Sequence, residues 1–287
     1  MAFLDKTTGA EFIPELWAEP IYKFYKETNK LAGSVDDYSA LVKNAGDTVH
    51  IPKIALKAPV AKVKSTIVDF STAATAGKVD LTIDKHYVVP ELFEDFALIQ
   101  SNFELITKYT KMMGESMARQ VESDMWVELD GFQTRVDCDE DNSCNAATLA
   151  TILQTLYQID IDPNNCSFVM NNVVMADIMN PDSGVSKYFI RQDASGEGQG
   201  LRTGAVGLIY GMNVFHSAAI PTTGTDNLAV GAVYPTDACV FAAQQDVRVQ
   251  AEYDIAYLGT KVAADIIYGM KLLDESGDLR GLNLVNI

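Results

Sequence analysis

The sequence predicts an α+β fold, and three observations carry this prediction. Apolar residues recur at helical spacing from Asn102 to Leu129 without a proline, which predicts one long helix. Short segments of alternating apolar and polar residues, such as Thr48 to Ile54, are typical of strands. The second half of the chain then mixes helical and strand patterns. Because 287 residues contain no internal repeat, we expect one integrated unit.

The composition indicates a soluble protein made in the cytosol. Hydrophobic residues make up 48% of the chain, and no segment approaches the ~18 consecutive apolar residues that a membrane span needs. The start of the chain, Met1 to Lys6, has no basic run followed by an apolar block, so no secretory signal is predicted. No two cysteines form a C-x-x-C pair, and we expect free thiols. They are Cys138, Cys144, Cys166 and Cys239.

The net charge argues against a protein that binds nucleic acid tightly. The formal net charge is −17, from 39 acids against 22 bases, and there is no long basic run. Tight phosphate binding needs clustered lysine and arginine. A protein that only surrounds nucleic acid is still compatible with this charge, because an acidic wall would repel DNA and leave it mobile inside.

The N-terminal third is predicted to contain a helix, a strand and a hairpin. An apolar stripe predicts a helix from Pro14 to Lys30, and the strand at 48–54 follows a turn. The segment from Ala55 to Asp84 alternates at Ala61–Val68 and again at Lys78–Asp84, with small residues between them. This pattern predicts a long two-stranded hairpin with a loose tip. An isolated hairpin is marginal in water, so we expect its packing partner on another subunit.

The long helix is expected to begin with a capping box, in which Ser101 caps the helix and Glu104 is the third helical residue. Its length would be roughly 40 Å at ~1.5 Å per residue. The remaining predicted elements alternate between helix and strand. They are a helix at Ala146–Leu156, a strand at Ser167–Met170, a helix at Asn171–Met179 capped by Asn171, a Gly-rich loop at Arg191–Gly204, and strands at Leu208–Phe215, Cys239–Ala243, Val247–Ala251, Thr260–Leu273 and Leu279–Val285.

No catalytic constellation is found in the sequence. The chain lacks a G-x-S-x-G elbow, an H-E-x-x-H pair and a phosphate-binding G-x-x-x-x-G-K-[ST] loop. The Gly196–Gly200 segment lacks the third glycine of a dinucleotide fingerprint. His50, His86 and His216 each lie in a strand-like run without a second histidine at helical spacing. We therefore expect three ordinary, partly buried histidines rather than ligands.

One acidic cluster resembles a calcium loop in part. Asp137, Asp139 and Asp141 occupy its first, third and fifth positions. The sixth position holds Asn142 where glycine is required, and the twelfth holds Thr148 where a bidentate glutamate is required. A solvated acidic loop before a helix N-terminus is the favoured interpretation, since negative charge is stabilised there. Whether the cluster binds a cation is left open by the sequence.

Short motifs along the chain stand in a characteristic order. They are Glu11–Trp17, Lys43–Pro52, Leu81–Lys85 followed by the long helix, Gly211–Ser217 before Ile220–Pro221, and Ile267–Lys271. Each motif alone is weak. In this order they resemble the major capsid proteins of tailed bacteriophages in the Hong Kong 97-like family, and the resemblance covers nearly the whole chain.

The resemblance implies a Hong Kong 97-like capsid fold with named parts. These would be an N-terminal arm and lead-in strand (1–54), an extended β-hairpin loop (55–86), a peripheral domain with the long spine helix (87–136), an axial domain (137–238), and peripheral-domain strands that return to the axial domain (239–287).

The resemblance also implies a structural function. The chain would assemble with itself into hexamers and pentamers of an icosahedral shell that encloses double-stranded DNA without sequence-specific binding. Scaffold and portal proteins would be further partners, and no membrane is involved. The protein would be made in the host bacterial cytoplasm and located in the virion. It would not be an enzyme, and no catalytic, cofactor-binding or metal-binding residue is assigned.

Two alternatives remain open. An encapsulin-type compartment has a similar fold but encloses protein cargo, and neighbouring genes would separate the two. An α+β enzyme with a site assembled from scattered acids is a different class of function. Some relatives also join subunits by a lysine–asparagine isopeptide bond on the extended loop. Because nothing near Lys57, Lys62 or Lys64 supplies a buried, carboxylate-assisted amine, we predict a non-covalent shell.

Overall fold

The computed structural model describes residues 21, 25, 30–42, 48–54, 59, 61–62, 64–65, 67, 76–95, 104–138, 144–179, 207–221, 229–274 and 278–285. Several predicted features fall outside this set. They are most of the helix Pro14–Lys30, the cap Ser101, the acids Asp139 and Asp141, and the loop Arg191–Gly204. Ile21 and Tyr25, within the first of these, are both helical.

The described elements alternate between helix and strand, as predicted for an α+β fold. The helices are α1 (Ser39–Val42), α2 (Glu104–Leu129), α3 (Ala146–Gln158) and α4 (Asn172–Met179). The strands are β1 (Asp36–Asp37), β2 (Thr48–Ile54), β3 (Ala76–Thr82), β4 (Lys85–Glu94), β5 (Thr134–Asp137), β6 (Cys166–Met170), β7 (Leu208–Ile209), β8 (Met212–His216), β9 (Ala229–Pro235), β10 (Cys239–Asp254), β11 (Gly259–Leu272) and β12 (Leu282–Val285). No described helix has the length and apolar character needed to cross a membrane.

Helix α2 agrees with the long helix predicted from the sequence. Its buried stripe recurs every four residues, at Met113, Met117, Val121, Met125 and Leu129, all 0–1% exposed. This stripe belongs to one core cluster that contains residues of both large sheets. The helix is therefore the element against which the two halves of the chain pack.

A four-stranded sheet in the order β1-β10-β11-β4 forms one half of the molecule. Strands β10 and β11 make a long antiparallel hairpin, and β4 extends it antiparallel to β11. The segments Cys239–Ala243 and Val247–Ala251, predicted as two strands, belong to the single strand β10. Its register shifts on either side of Gln245. Such irregularities break the period-2 alternation without ending the strand, so the sequence pattern was misleading here.

A six-stranded sheet in the order β5-β12-β9-β6-β8-β7 forms the other half. Helices α3 and α4 contribute to its core through Leu149, Ile152, Val174 and Ile178. Strand β9 was not predicted, because all but its last residue are buried and its sequence has no alternation. The chain's last described strand, β12, pairs with β5 and β9 and so returns to this sheet.

Two helix starts and one turn in this half follow from local chemistry. The Asn145 side chain accepts hydrogen bonds from the N–H groups of Ala147 and Thr148 at the start of α3. Asn171 accepts one from Val174 N–H, as its predicted role as a cap requires. The predicted single strand Leu208–Phe215 is wrong, since it is the hairpin β7–β8. Its turn residues Tyr210 and Gly211 have φ values of 50° and 89°.

Strands β2 and β3 form a separate two-stranded ribbon. Their register runs from Thr48 opposite Thr82 to Ile54 opposite Ala76. The predicted pairing of Ala61–Val68 with Lys78–Asp84 is therefore wrong, and no described residue within 61–68 is in a strand. Alternation marks a segment as able to form a strand, but it does not identify the partner strand.

The base of the ribbon packs on its own subunit. Val79 and Leu81, 7% and 0% exposed, join Val42, Val240 and Leu273 in a small core cluster. The expectation that the whole hairpin lacks a packing partner within its subunit is thus wrong for its base. Its apolar face is satisfied by the four-stranded sheet because β3 crosses β11 near Gly269.

Candidate functional surfaces

The described residues contain no group of three or more His, Cys, Asp and Glu side chains that could hold a metal ion. The three histidines lie in strands β2, β4 and β8, and each of these strands belongs to a different sheet. His50 Nδ1 lies 2.5 Å from Asp80 Oδ1, and His86 Nε2 lies 3.2 Å from Asp265 Oδ2. Of the acidic cluster, only Asp137 is described, and it is exposed in β5.

The four cysteines are buried and free, as the sequence analysis expected. Burial raises the pKa of Cys166 to about 12, with nearby Asp162 and Asp237 adding to the effect. Burial likewise raises the pKa of Cys239 to about 12. Thiols with such pKa values stay protonated at neutral pH and are poor nucleophiles. We therefore interpret these cysteines as core residues and not as catalytic nucleophiles or metal ligands.

The carboxylates of helix α2 anchor other segments to it. Glu122, 6% exposed, accepts hydrogen bonds from Lys30 N–H (2.8 Å) and from the Ser217 hydroxyl (3.0 Å). Asp124 accepts one from the Tyr268 hydroxyl on β11 at 2.9 Å. Each of these two carboxylates accepts a hydrogen bond, as buried charged groups require. These carboxylates hold the subunit together and do not form a reactive cluster.

The ribbon is fixed to the body by an ion-pair network. Lys53 Nζ on β2 lies 2.9 Å from Asp278 Oδ2, and Arg280 Nη2 lies 3.1 Å from the same oxygen. Burial raises the pKa of Asp278, but hydrogen bonds from Lys53 and Arg280 outweigh it and lower the pKa below its usual value. These ion pairs connect β2 of the ribbon to the segment before β12.

The sheet formed by β4, β11 and β10 has one covered and one partly open face. On the covered face, Phe93, Val249 and Val262 are buried with α2 in the main core cluster. On the other face, the base of the ribbon packs at the end of the sheet that holds Val240 and Gly269. A groove of about 1000 Å³ runs along this sheet. Its lining includes Pro90, Leu92, Arg248, Gln250, Lys261 and Ala263.

The tip of the β10–β11 hairpin carries a cluster of exposed apolar side chains. Ile255, Tyr257 and Leu258 are 75%, 58% and 62% exposed, and Tyr253 at the end of β10 is 41% exposed. Contiguous exposed apolar surface of this kind is typical of interaction sites. The sequence analysis missed this cluster. Its signal was available, because a turn between two strands is normally polar and this one reads Ile-Ala-Tyr-Leu.

Comparison with solved structures identifies the fold. A structure from Mycobacterium phage Che8 matches with a TM-score of 0.70 and 20% identity, over 89% of this chain and 90% of that one. The capsid of the cyanophage P-SCSP1u matches with a TM-score of 0.66 and 16% identity, over 88% and 86% of the two chains. The capsid of a native GTA particle matches with a TM-score of 0.63 and 13% identity, over 90% and 91%.

These matches place the chain in the fold class of phage capsid proteins. The Hong Kong 97-like fold predicted from the order of motifs is confirmed at the level of the fold. No protein-family model matches the sequence, and no curated protein matches it. At identities of 20% and below, the likeness is one of three-dimensional structure rather than of sequence.

Proposed function

We propose that this chain is the major capsid protein of a tailed bacteriophage, a structural protein and not an enzyme. The observation that carries the proposal is the match of about nine-tenths of the chain to proteins from phage and GTA capsids, over nearly the full length of those proteins. Most of the chain is thus accounted for by a fold that those particles use to build a shell.

The surfaces of the subunit agree with this function. The described residues offer no metal cluster, and their buried acids and thiols are occupied in the core. The features that remain are extended ones, namely a two-stranded ribbon, a partly open sheet face and an apolar hairpin tip. Such features suit a protein that acts through contacts with copies of itself.

The finer proposal is that the subunits form hexamers and pentamers of an icosahedral shell around double-stranded DNA. A net charge of −17 supports enclosure of DNA without tight binding, because an acidic wall repels phosphate. Scaffold and portal proteins would assist assembly. The domain division into arm, extended loop, peripheral and axial parts is proposed on the same basis, with its boundaries as given from the sequence. The shell would be located in the virion after synthesis in the host cytoplasm.

Expression of the chain together with its neighbouring genes tests the proposal. We expect closed particles by electron microscopy, with hexameric and pentameric rings in their reconstruction. DNA that resists nuclease in particles from infected cells would support a capsid. Particles that contain one co-purifying enzyme and no DNA would instead support the encapsulin alternative. A persistently monomeric protein with a measurable turnover activity would refute both.

A further inference from the structure

Three short segments carry the chain between helix α2 and the two large sheets. Residues 130–133 lead from α2 to β5, residues 236–238 lead from β9 to β10, and residues 273–281 lead from β11 to β12. We call these segments the linkers. A rotation of one sheet relative to the other must bend them, because the chain crosses between the sheets there.

Asp274 and Arg280 bind the three linkers to one another. Asp274, 9% exposed, accepts hydrogen bonds from Gln133 N–H at 3.0 Å and from Arg280 N–H at 2.5 Å. The side chain of Arg280 then reaches the remaining linker, since its Nη1 donates to the backbone oxygen of Asp237 at 3.1 Å. Bending of one linker therefore strains hydrogen bonds to the others.

The same arginine is bound to the ribbon. Its Nε and Nη2 donate to Asp278 Oδ2 at 3.2 Å and 3.1 Å. Lys53 Nζ on β2 lies 2.9 Å from that same oxygen. One carboxylate oxygen thus joins the ribbon to the side chain that holds the linkers together.

The shape of the guanidinium group makes this connection directional. The group is planar, and its N–H bonds point in fixed directions. Since Nε and Nη2 of Arg280 are directed at Asp278, the direction of Nη1 toward Asp237 is fixed as well. If Asp278 moves with Lys53, the plane turns and Nη1 loses its acceptor. A lysine ammonium group would not transmit such a turn, because its donors rotate about a flexible stem.

We infer that Arg280 is a mechanical coupling between the ribbon and the linkers, so that displacement of Lys53 loosens the segments that join the two sheets. Lys53 is one residue before Ile54, the end of β2, and the segment 55–75 follows directly. In the proposed shell, a contact made by that segment would therefore reach the linkers. Only this last step rests on the proposed function, since the coupling belongs to the single subunit.

Amide hydrogen exchange of the unassembled subunit tests the coupling. Two amides report on the linkers, namely Gln133 N–H, bound to Asp274, and Leu273 N–H, which donates to the Ala238 oxygen at 2.8 Å. Lys53→Met keeps a long side chain and removes the ion pair. We expect exchange at both amides to become about three- to tenfold faster, as for loss of one hydrogen-bonded pair. The amides of the buried strand β6 should keep their rates.

Two further variants separate the coupling from a general effect of charge. Lys78→Met removes an ion pair with Asp80 (3.1 Å) that lies within the ribbon, and it should leave both rates unchanged. Arg280→Lys keeps the charge but not the planar group, and it should accelerate both amides as Lys53→Met does. If Arg280 transmits the effect, addition of Lys53→Met to Arg280→Lys should cause little further change.

The inference is wrong if Lys53→Met leaves both amides at the rates of the Lys78→Met control. It is equally wrong if the amides of β6 accelerate to the same degree, because the variant then only destabilises the whole fold, or if the effects of Lys53→Met and Arg280→Lys add in full. None of these results touches the proposed function. A chain that forms no shells would refute that function, whereas the coupling is decided by the exchange rates alone.

Discussion

Gly269 is a position at which a contact between two distant segments requires glycine. It lies in β11 within the motif Ile267–Lys271, where the end of the ribbon crosses the sheet. An added Cβ would overlap the backbone oxygen of Thr82 and lie 2.9 Å from the Cα of Ile83. Backbone atoms cannot move aside as a flexible side chain can. The glycine is therefore required by the crossing and not by the conformation of its own strand.

Gly269→Ala should destabilise the unassembled subunit by about 2–4 kcal/mol, because relief of the overlap must displace the ribbon. Urea denaturation followed by circular dichroism measures the change. Gly77→Ala is the matched control in a strand, since its Cβ would meet no atom closer than 3.9 Å. That change should be neutral or slightly stabilising. Equal stability of the two variants would show that β3 does not cross β11 closely.

Asp265 is a second residue whose role depends on its neighbours. Burial raises its pKa, but hydrogen bonds from Arg248 and His86 outweigh burial and lower the pKa below its usual value. Arg248 donates from both Nε (3.0 Å) and Nη2 (2.8 Å), which is a bidentate pair. Because the folded-state pKa is depressed, this stabilisation is present above the unfolded pKa and is lost as the pH falls through the folded value.

Asp265→Asn should lower the free energy of unfolding by about 1–2 kcal/mol at pH 7, since it removes a charged hydrogen-bond acceptor. The difference from the unaltered chain should shrink below about pH 4, where the aspartate becomes protonated in the unfolded chain before it does in the folded one. Denaturation curves between pH 3 and pH 7 measure it. Asp246→Asn, an exposed change in β10, should cost less than about 0.5 kcal/mol. A difference that stays constant with pH would contradict the ion-pair account.

At the scale of elements, the base of the ribbon has an internal role, and we propose an external role for the segment that follows it. Its base is part of the subunit core, through Val79 and Leu81. Beyond the pairing of Ile54 with Ala76, the chain continues for residues 55–75 before it returns. Lys62 and Lys64 in this segment are exposed. We propose that the segment 55–75, most of which lies outside the described residues, contacts other subunits in the shell.

Replacement of residues 55–75 by Asn-Gly should leave a folded subunit that forms no stable shells. Asn-Gly is the preferred two-residue turn between paired strands, and Ile54 and Ala76 are paired. Thermal unfolding of the subunit and electron microscopy of the assembly reaction measure the two effects. A deletion from Lys62 to Lys78 should destabilise the subunit as well, because it removes the first residues of β3. Normal shells from the Asn-Gly variant would disprove an external role for the segment.

At the scale of the whole molecule, the main property of the subunit is its acidic net charge of −17. The chain has 39 acids and 22 bases, so in the proposed shell a lysine on one subunit would readily meet a carboxylate on the next. Contacts of this kind are non-covalent and individually weak, and a shell gains its stability from their number. An isopeptide bond would instead need a lysine that is buried and deprotonated.

Mature particles boiled in detergent with reductant should therefore give a single monomer band on a denaturing gel. The exposure of Lys62 and Lys64 in the subunit agrees with this expectation but does not test it. A ladder of covalent oligomers would show that the prediction is wrong. Lys57→Arg, Lys62→Arg and Lys64→Arg variants would then identify the donor, because arginine keeps the charge but cannot form the bond.

The sequence by itself determined the elements that have a strong local pattern. Helix α2 was predictable because its apolar residues repeat over seven turns, and the cap at Asn171 because its chemistry is local. The fold class was predictable from the order of motifs. The tertiary structure alone decided the pairing of β2 with β3, the continuity of β10 and the buried strand β9. These depend on which distant surfaces meet, and period-2 alternation contains no information about the partner strand.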